Sequence, residues 1–348
     1  MIHDRQPLVS ICIPVYNGAP FLKDCLISAM EQTYNNIEII LVDDCSTDQS
    51  LHIAQEILKE FPRKIIFKNE TNIGLVANWS KCIELAGGDW IKFLFQDDIM
   101  HIECVEKMIF QAIQNKSDFV LCKRSFIFEQ GVNKKIIEYY EHKLVKPENI
   151  FPDKPNISVA DFESKIAHLL HENFIGEPVC WLFHKGLYEA VGGFNKGLKI
   201  YPDYEFGLRI ILNHQFTFIN ETLIQFRVHT AATSQREGKK ISRENTNDAQ
   251  IYAQYGDILL LLNLYLQNDS IYIFKKYWKL KDLKTYYLYI YLKACKLFGE
   301  ERVRVILKNI ILASSFAEKL KYFWIKYYFY KLRYKCEILP LINKTRKD

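Results

Sequence analysis

A chain of 348 residues is long enough to bury a substantial core in one large domain with an extension. Its composition, 49% hydrophobic and 25% charged, is that of a globular protein and excludes a disordered or collagen-like chain. The net charge of +5 conceals an uneven spread, because from Lys275 onward 19 Lys and Arg face 6 Asp and Glu, while the rest of the chain carries 27 against 35.

A basic tail on an acidic body points to an anionic partner, either nucleic acid or a membrane surface. The nine cysteines include no C-x-x-C pair and no Cys/His cluster at zinc spacing, so they read as reduced core residues rather than a disulfide framework. The opening stretch MIHDRQPLVSICIPVYN lacks the basic-then-apolar layout of an export signal, and its apolar run is too short to span a bilayer. The expected compartment is the cytoplasm.

In chain order, LVSICIPV (8–15), IEIILV (37–42), KIIFK (64–68), WIKFLF (90–95) and DFVLC (118–122) predict strands. Near-continuous apolar runs of this kind belong to strands covered on both faces. Between them lie helical patterns. PFLKDCLISAMEQT places Pro20 at a first helical position. STDQSLHIAQEILKEF has Ser46 and Gln49 at capping-box spacing. LVANWSKCIELAGGD closes on Gly87 and Gly88, which suit a left-handed cap. Alternation of strand and helix predicts an α/β fold with right-handed crossovers and a mainly parallel sheet, with ligands at the carboxyl ends of the strands.

Residues 123–160 give mixed signals, with Pro147, Pro152 and Pro155 marking a long loop. From Phe174 to Ser234 the signals sharpen again into a bend at Gly192 and Gly193, an acidic turn at Asp203 entering the helix YEFGLRIILN, and the strand TLIQFRVH. Beyond about residue 243 the chain reads as helices rich in Tyr, Phe, Leu and Lys.

Four polar groups fall at strand ends or turns: Tyr16 in PVYN, the pair Asp43–Asp44, the pair Asp97–Asp98, and Asp203 with His229. An Asp at such a turn is more often a helix cap than a ligand. Their convergence on one sheet edge favours a site. Adjacent carboxylates raise each other's proton affinity unless a cation or hydrogen bonds lie between them. Oxygen ligands such as Asp98 suit Mg²⁺ or Mn²⁺, and a histidine such as His229 tilts the choice towards Mn²⁺. A metal there would hold a leaving diphosphate as a Lewis acid, and Asp203 could take the proton of an incoming hydroxyl.

The segments VSICIPVYNGAPFLKDCLISAMEQTYNNIEIILVDDCSTDQS, NETNIGLVANWSKCIELAGGDWIKFLFQDD, GGFNKGLKIYPDYEFGLRI and FRVHTAATS resemble, in that order, the family 2 glycosyltransferases of the glycosyltransferase A fold. The resemblance covers residues 7–235 and implies a catalytic domain over 1–240, followed by a helical, basic and aromatic extension over 241–348. By that resemblance Pro14 and Tyr16 border the nucleobase and Asp44 reads its edge. Asn72, Gly74 and Asn78 line the ribose and diphosphate, and Asp97 contacts the ribose or sugar. Asp98 binds Mn²⁺ or Mg²⁺ with His229 on the metal side, and Asp203 is the catalytic base.

Two departures stand out. The aspartate-x-aspartate signature reads Gln96-Asp97-Asp98, and the usual Glu-Asp base motif reads Pro202-Asp203, with Glu205 as a rival base. GEP (176–178) with Trp181 reads either as an acceptor platform or as core. Lys81 reads as a solvated lysine, His184 and His214 as surface or satisfied histidines, and Arg209 as the partner of a local carboxylate.

The resemblance implies an inverting transfer of one sugar from a nucleotide-diphosphate sugar, a UDP-sugar first, to a hydroxyl of a lipid-linked glycan acceptor. In the extension, eight aromatics between Tyr322 and Tyr334 alternate with Lys and Arg. That pattern suits peripheral attachment to an anionic membrane surface on the inner face of the cytoplasmic membrane. The alternative is a helical subdomain packed on itself or across a homodimer. Nothing upstream resembles a nucleic-acid module. The rival functions are a non-catalytic glycan- or nucleotide-binding module and a nucleotidyltransferase, though PVYNGAPFL is not a Gly-rich phosphate loop.

Overall fold

The computed structural model describes residues 6–151, 155–161, 173–195, 202–211 and 213–230. The tail extension expected over 241–348 lies outside the described residues, as does any homodimer or membrane contact it makes. No helix among the described residues is long and apolar enough to cross a membrane.

The chain opens with alternating β1 (Val9–Val15), α1 (Leu22–Met30), β2 (Ile37–Asp43), α2 (Ser50–Ile57), β3 (Lys64–Lys68), α3 (Leu75–Leu85) and β4 (Trp90–Phe93). All seven residues of β1 are buried, the pattern of a central strand covered on both faces. Strands β3, β2, β1 and β4 lie side by side and parallel. Their carboxyl ends at Lys68, Asp43, Val15 and Phe93 therefore share one edge.

Beyond β4 come β5 (Ile99–Met100), α4 (Cys104–Asn115), β6 (Phe119–Phe128), α5 (Lys134–Glu138), a π-helical turn at Tyr139–Lys143, α6 (Pro147–Ile150) and β7 (Asn156–Ile157). A 3₁₀ turn at Pro178–Cys180 leads into β8 (Trp181–His184), α7 (Lys185–Val191), α8 (Pro202–Ile211) and β9 (Phe216–Val228). The sheet order is β3-β2-β1-β4-β8-β6-β9-β5, with β7 against β9. Strand β8 runs antiparallel between β4 and β6, which restores β6 and its parallel neighbour β9 to the direction of β4. The carboxyl end of β9 and the start of β8 thus lie at the same edge as Val15 and Asp43.

Several local expectations change. The expected strand over 90–95 ends at Phe93, freeing Leu94 to Asp98 for a turn. The capping box at Ser46 and Gln49 does not form. Asp48 Oδ1 instead accepts from the Ser50 backbone N–H at 3.0 Å, while Ser46 Oγ accepts from the Asn17 N–H at 2.9 Å. Helix α1 starts at Leu22, after Pro20. Helix α3 ends at extended Ala86 rather than on a left-handed glycine. Gly88 is needed there for a close approach, since a Cβ would sit 2.7 Å from Leu8 O. The bend at Gly192 and Gly193 is left-handed at both residues. Much of the expected loop after residue 122 is ordered structure, because β6 continues to Phe128 through a register shift at Lys123.

Candidate active site at the carboxyl edge of the sheet

Tyr16 leaves the end of β1 with its side chain 42% exposed, so its ring is available to a flat ligand. Its backbone is held from below. The Tyr16 N–H donates to Gln96 Oε1 at 2.8 Å, and Gln96 Nε2 donates to Tyr16 O at 3.2 Å. An amide can both donate and accept here, whereas an ionised carboxylate could only accept. The departure at Gln96 therefore has a structural reason: it clips the loop after β1 to the turn after β4. Gly18 makes room for the clip, since a Cβ would lie 2.4 Å from Gln96 Oε1.

Asp43 and Asp44 end β2, and both are buried. Asp44 Oδ1 accepts from Asn69 Nδ2 at 2.8 Å and from the Ile73 N–H at 2.8 Å, and Oδ2 accepts from the Gly74 N–H at 3.0 Å. Asn72 Nδ2 donates to Asp44 O at 3.2 Å. The carboxylate thus shapes the loop over 72–74, where Gly74 stands at φ +86° before α3. The expected base-edge role leaves Asp44 only its remaining lone pair. Asn78, expected to line the ribose side, is buried in α3. Its Oδ1 accepts from Asn69 at 3.1 Å and its Nδ2 donates to Val42 O at 3.0 Å, so its amide braces α3 against β2.

The turn after β4 carries Asp97 and Asp98, and β9 holds it. Asp98 Oδ1 accepts from the Arg227 N–H at 2.8 Å, and Arg227 Nε donates to Asp97 O at 2.9 Å. The Arg227 guanidinium also pairs with Glu129, lies 3.8 Å from Asp24 Oδ2 and sits 4.9 Å over the Phe21 ring. His229, two residues along the strand and so on the same face, places Nε2 at 2.8 Å from Asp97 Oδ2. Its ring packs 4.7 Å from that of Phe21. The sequence reading pairs His229 with Asp98; the structure pairs it directly with Asp97. Arg227 escaped the sequence reading although it shares a strand face with His229.

Asp98 is 1% exposed, and its Oδ2 has no hydrogen-bond partner among the described residues. Burial, then the neighbouring Asp97 charge, push its carboxyl well above the usual carboxylate range, against the pull of the Arg227 N–H. An orphaned carboxylate oxygen beside a second carboxylate fits a hard divalent cation. No group of three or more His, Cys, Asp or Glu is gathered as a metal cage among the described residues. Mg²⁺ and Mn²⁺ of this kind are commonly held by one or two carboxylates together with substrate phosphates, so the residues present suit such an ion.

Asp203 lies in the first turn of α8, buried, with Oδ1 accepting from the Tyr204 N–H at 2.8 Å. A helix N-terminus favours the ionised carboxylate. The Tyr204 ring contacts Phe174 at 6.3 Å, which sets this turn beside the segment entering β8 at the site edge. The rival base Glu205 is spoken for: Arg209 grips it through Nε–Oε1 at 2.6 Å and Nη2–Oε2 at 2.8 Å. Arg209 also binds Val191 O and Gly193 O, tying α8 to the turn after α7.

Trp181 is fully buried and its Nε1 donates to Ile175 O at 3.2 Å, so it belongs to the core and not to an acceptor platform. Lys81 pairs with Glu84 at 2.8 Å. His184 accepts from the Gly186 N–H at 3.2 Å as the cap of α7. The seven cysteines among the described residues are free thiols, and all but Cys45 are buried.

A parallel half-sheet ending in paired carboxylates is extended by an antiparallel β8, an α/β arrangement with its polar groups gathered at one sheet edge. Residues 10–192 match the sequence profile of Glycosyl transferase family 2, and the chain belongs to that family. An uncharacterized glycosyltransferase of Rickettsia prowazekii is 31% identical, over 66% of this chain and 66% of the relative. One of Rickettsia felis is 29% identical over 77% of this chain, which spans 41% of that relative. Among solved structures, residues 1–349 of S. aureus TarS in complex with UDP-GlcNAc superimpose with a TM-score of 0.61 at 18% identity, covering 88% of this chain and 81% of that fragment. The mannosyltransferase PcManGT of Pyrobaculum calidifontis, in complex with GDP-Man and Mn²⁺, gives 0.51 at 14% identity, covering 94% and 82%. These likenesses show the shared glycosyltransferase A fold.

Proposed function

We propose that the chain is an inverting glycosyltransferase that moves a sugar from a nucleotide-diphosphate sugar to a hydroxyl of a glycan acceptor. The observation that carries this reading is the Asp97–Asp98 turn, locked to β9 by Arg227 and left with one buried carboxylate oxygen open. Asp98, with Asp97 and His229 beside it, would hold Mn²⁺ or Mg²⁺. When bound, that ion supplies positive charge for the departing diphosphate. Tyr16 offers a ring to the nucleobase, and Pro14 at the end of β1 borders it. The loop over 72–74, shaped by Asp44, faces the ribose and diphosphate.

Asp203, in the first turn of α8, accepts the proton of the acceptor hydroxyl as it attacks. The acceptor oxygen, giving its proton to Asp203, forms its bond to the anomeric carbon on the face opposite the diphosphate as the bond to the diphosphate oxygen breaks, which inverts that centre. The names of the structural neighbours support a nucleotide-sugar donor, with a UDP-sugar tried first. A lipid-linked acceptor at the inner membrane face, reached through the basic extension over 241–348, is the setting we propose for the reaction.

The test is thermal stability with UDP, GDP, dTDP and CMP, with and without Mn²⁺, on the wild type and Asp98→Ala. A ligand at 100 times its Kd stabilises the native state by about 2.7 kcal/mol. The reading predicts Mn²⁺-dependent stabilisation by one nucleotide, lost in Asp98→Ala. A folded protein that none of them stabilises would overturn it in favour of a non-catalytic module.

A further inference from the structure

One charged pair at the site edge has no part in the scheme above. Arg124 projects from β6 just past the register shift at Lys123, where a bulge re-aims side chains. It is 6% exposed, and its Nε lies 3.0 Å from Glu177 Oε2. Neither its Nε nor its Nη2 has a hydrogen-bond partner among the described residues, so the contact with Glu177 is an ion pair without hydrogen-bond geometry; Nη1 reaches Cys180 Sγ at 3.9 Å, and the guanidinium lies 5.5 Å over the Phe126 ring. Burying a guanidinium with so few partners is costly, and such a charge is seldom kept for stability alone.

The backbone has been shaped around the pair. Gly176 stands at φ +80°, and a Cβ on it would lie 2.5 Å from Arg124 Nη1, so only glycine lets Glu177 come down onto the arginine. Glu177 itself is 23% exposed along its side chain: one oxygen is buried against Arg124 while the side chain still reaches the surface. It stands immediately before the turn into β8, at the edge where Asp98 lies.

The register measures how near this is. Ile127 of β6 faces Arg227, whose N–H holds Asp98. Arg124 is three residues back along the strand, about 10 Å away at the usual strand rise. A hexose carried on a diphosphate at Asp98 would have to extend about 10 Å along this edge for its hydroxyls to meet Glu177.

We propose that Glu177 is a donor-sugar residue, accepting a hydrogen bond from a hydroxyl of the transferred hexose, with Arg124 as the positioning residue that fixes its carboxylate. The inference rests on the nucleotide-sugar reading of the site and adds to it the group that recognises the sugar rather than the nucleotide. A carboxylate here selects hexoses with a hydroxyl donor at the facing carbon and rejects deoxy analogues, because the outer carboxylate oxygen, covered by the bound sugar, would then go unpaired.

The test compares binding of a nucleoside diphosphate with that of its sugar, using UDP against UDP-glucose and UDP-GlcNAc, and GDP against GDP-mannose, with Mn²⁺. The proteins are the full chain as wild type, Glu177→Gln, and the double variant Arg124→Met with Glu177→Gln, which removes both charges and leaves neither one buried alone. We expect each folded variant to bind the diphosphate as the wild type does and the nucleotide sugar about 10- to 100-fold more weakly, the range for a hydrogen bond to a charged group. Equal affinity of variant and wild type for the nucleotide sugar overturns the inference, as does a parallel loss of diphosphate and sugar binding. A wild type that binds none of these nucleotides refutes the donor site itself, a distinct failure that takes this inference with it.

Discussion

Replacing Asp44 by Asn separates two roles for one carboxylate. Asp44 accepts three hydrogen bonds, from Asn69 Nδ2 and the backbone N–H groups of Ile73 and Gly74. Asparagine keeps one acceptor oxygen, which can serve Asn69 and Ile73, but turns an NH₂ group towards the Gly74 N–H. At least one charge-assisted bond is lost, worth about 1.5–3 kcal/mol. At roughly 2–4 °C per kcal/mol for a domain of this size, Tm should fall by about 3–12 °C with no ligand present. The assay is thermal denaturation followed by circular dichroism, paired with nucleotide titration. We expect both stability and nucleotide affinity to fall, because the loop over 72–74 loosens. Unchanged ligand-free stability with weakened nucleotide binding would refute the loop-holding role and restore Asp44 as a plain base reader.

Other substitutions probe the remaining parts. Arg227→Lys keeps the charge but loses the planar contacts to Asp97 O, Glu129 and Phe21. Mn²⁺-dependent nucleotide binding should weaken at least tenfold, read by calorimetry, with a smaller loss in Mn²⁺-free binding. Gly176→Ala forces a Cβ into Arg124 at a left-handed backbone position. Chemical denaturation should show a loss of about 1–3 kcal/mol. Trp181→Phe removes a core hydrogen bond to Ile175 O and part of a packed ring, so denaturation should report about 1–3 kcal/mol lost while acceptor KM stays unchanged.

The central strands were legible because their apolar runs are β-branched, but β3 is exposed along its length rather than covered on both faces, and the short β5, β7 and β8 carry no such run. Helix starts were less legible. Ser46 and Gln49 have capping-box spacing, but Gln49 makes no side-chain cap; Asp48 accepts from the Ser50 N–H, and Ser46 holds the loop at Asn17. Gly87 and Gly88 read as a left-handed stop, and tertiary crowding against Leu8 explains Gly88 instead.

Within the site, residue types were visible but not their partners. Asn78 looks like a ligand amide in sequence, and only its burial between Asn69 and Val42 O shows it is structural. Gln96 looks like a damaged signature until its two bonds to the Tyr16 backbone are seen. Arg227 and Glu177 sit in the segments FRVHTAATS and GEP, but their partners do not show in sequence, and Arg124 carries no local pattern, because those partners lie tens of residues away and meet only through the β6–β9 pairing and the approach to β8.

On the proposed function, this edge releases a nucleoside diphosphate from a nucleotide sugar with Asp203 as the base. The most direct test is the rate of nucleoside diphosphate release from UDP-glucose, UDP-GlcNAc and GDP-mannose with Mn²⁺ and water as the slow acceptor, in wild type and Asp203→Asn. Release from one of the three, slowed roughly 10²- to 10⁴-fold in the variant while its nucleotide binding stays intact, is the predicted result. Release at the same rate in both proteins would contradict it.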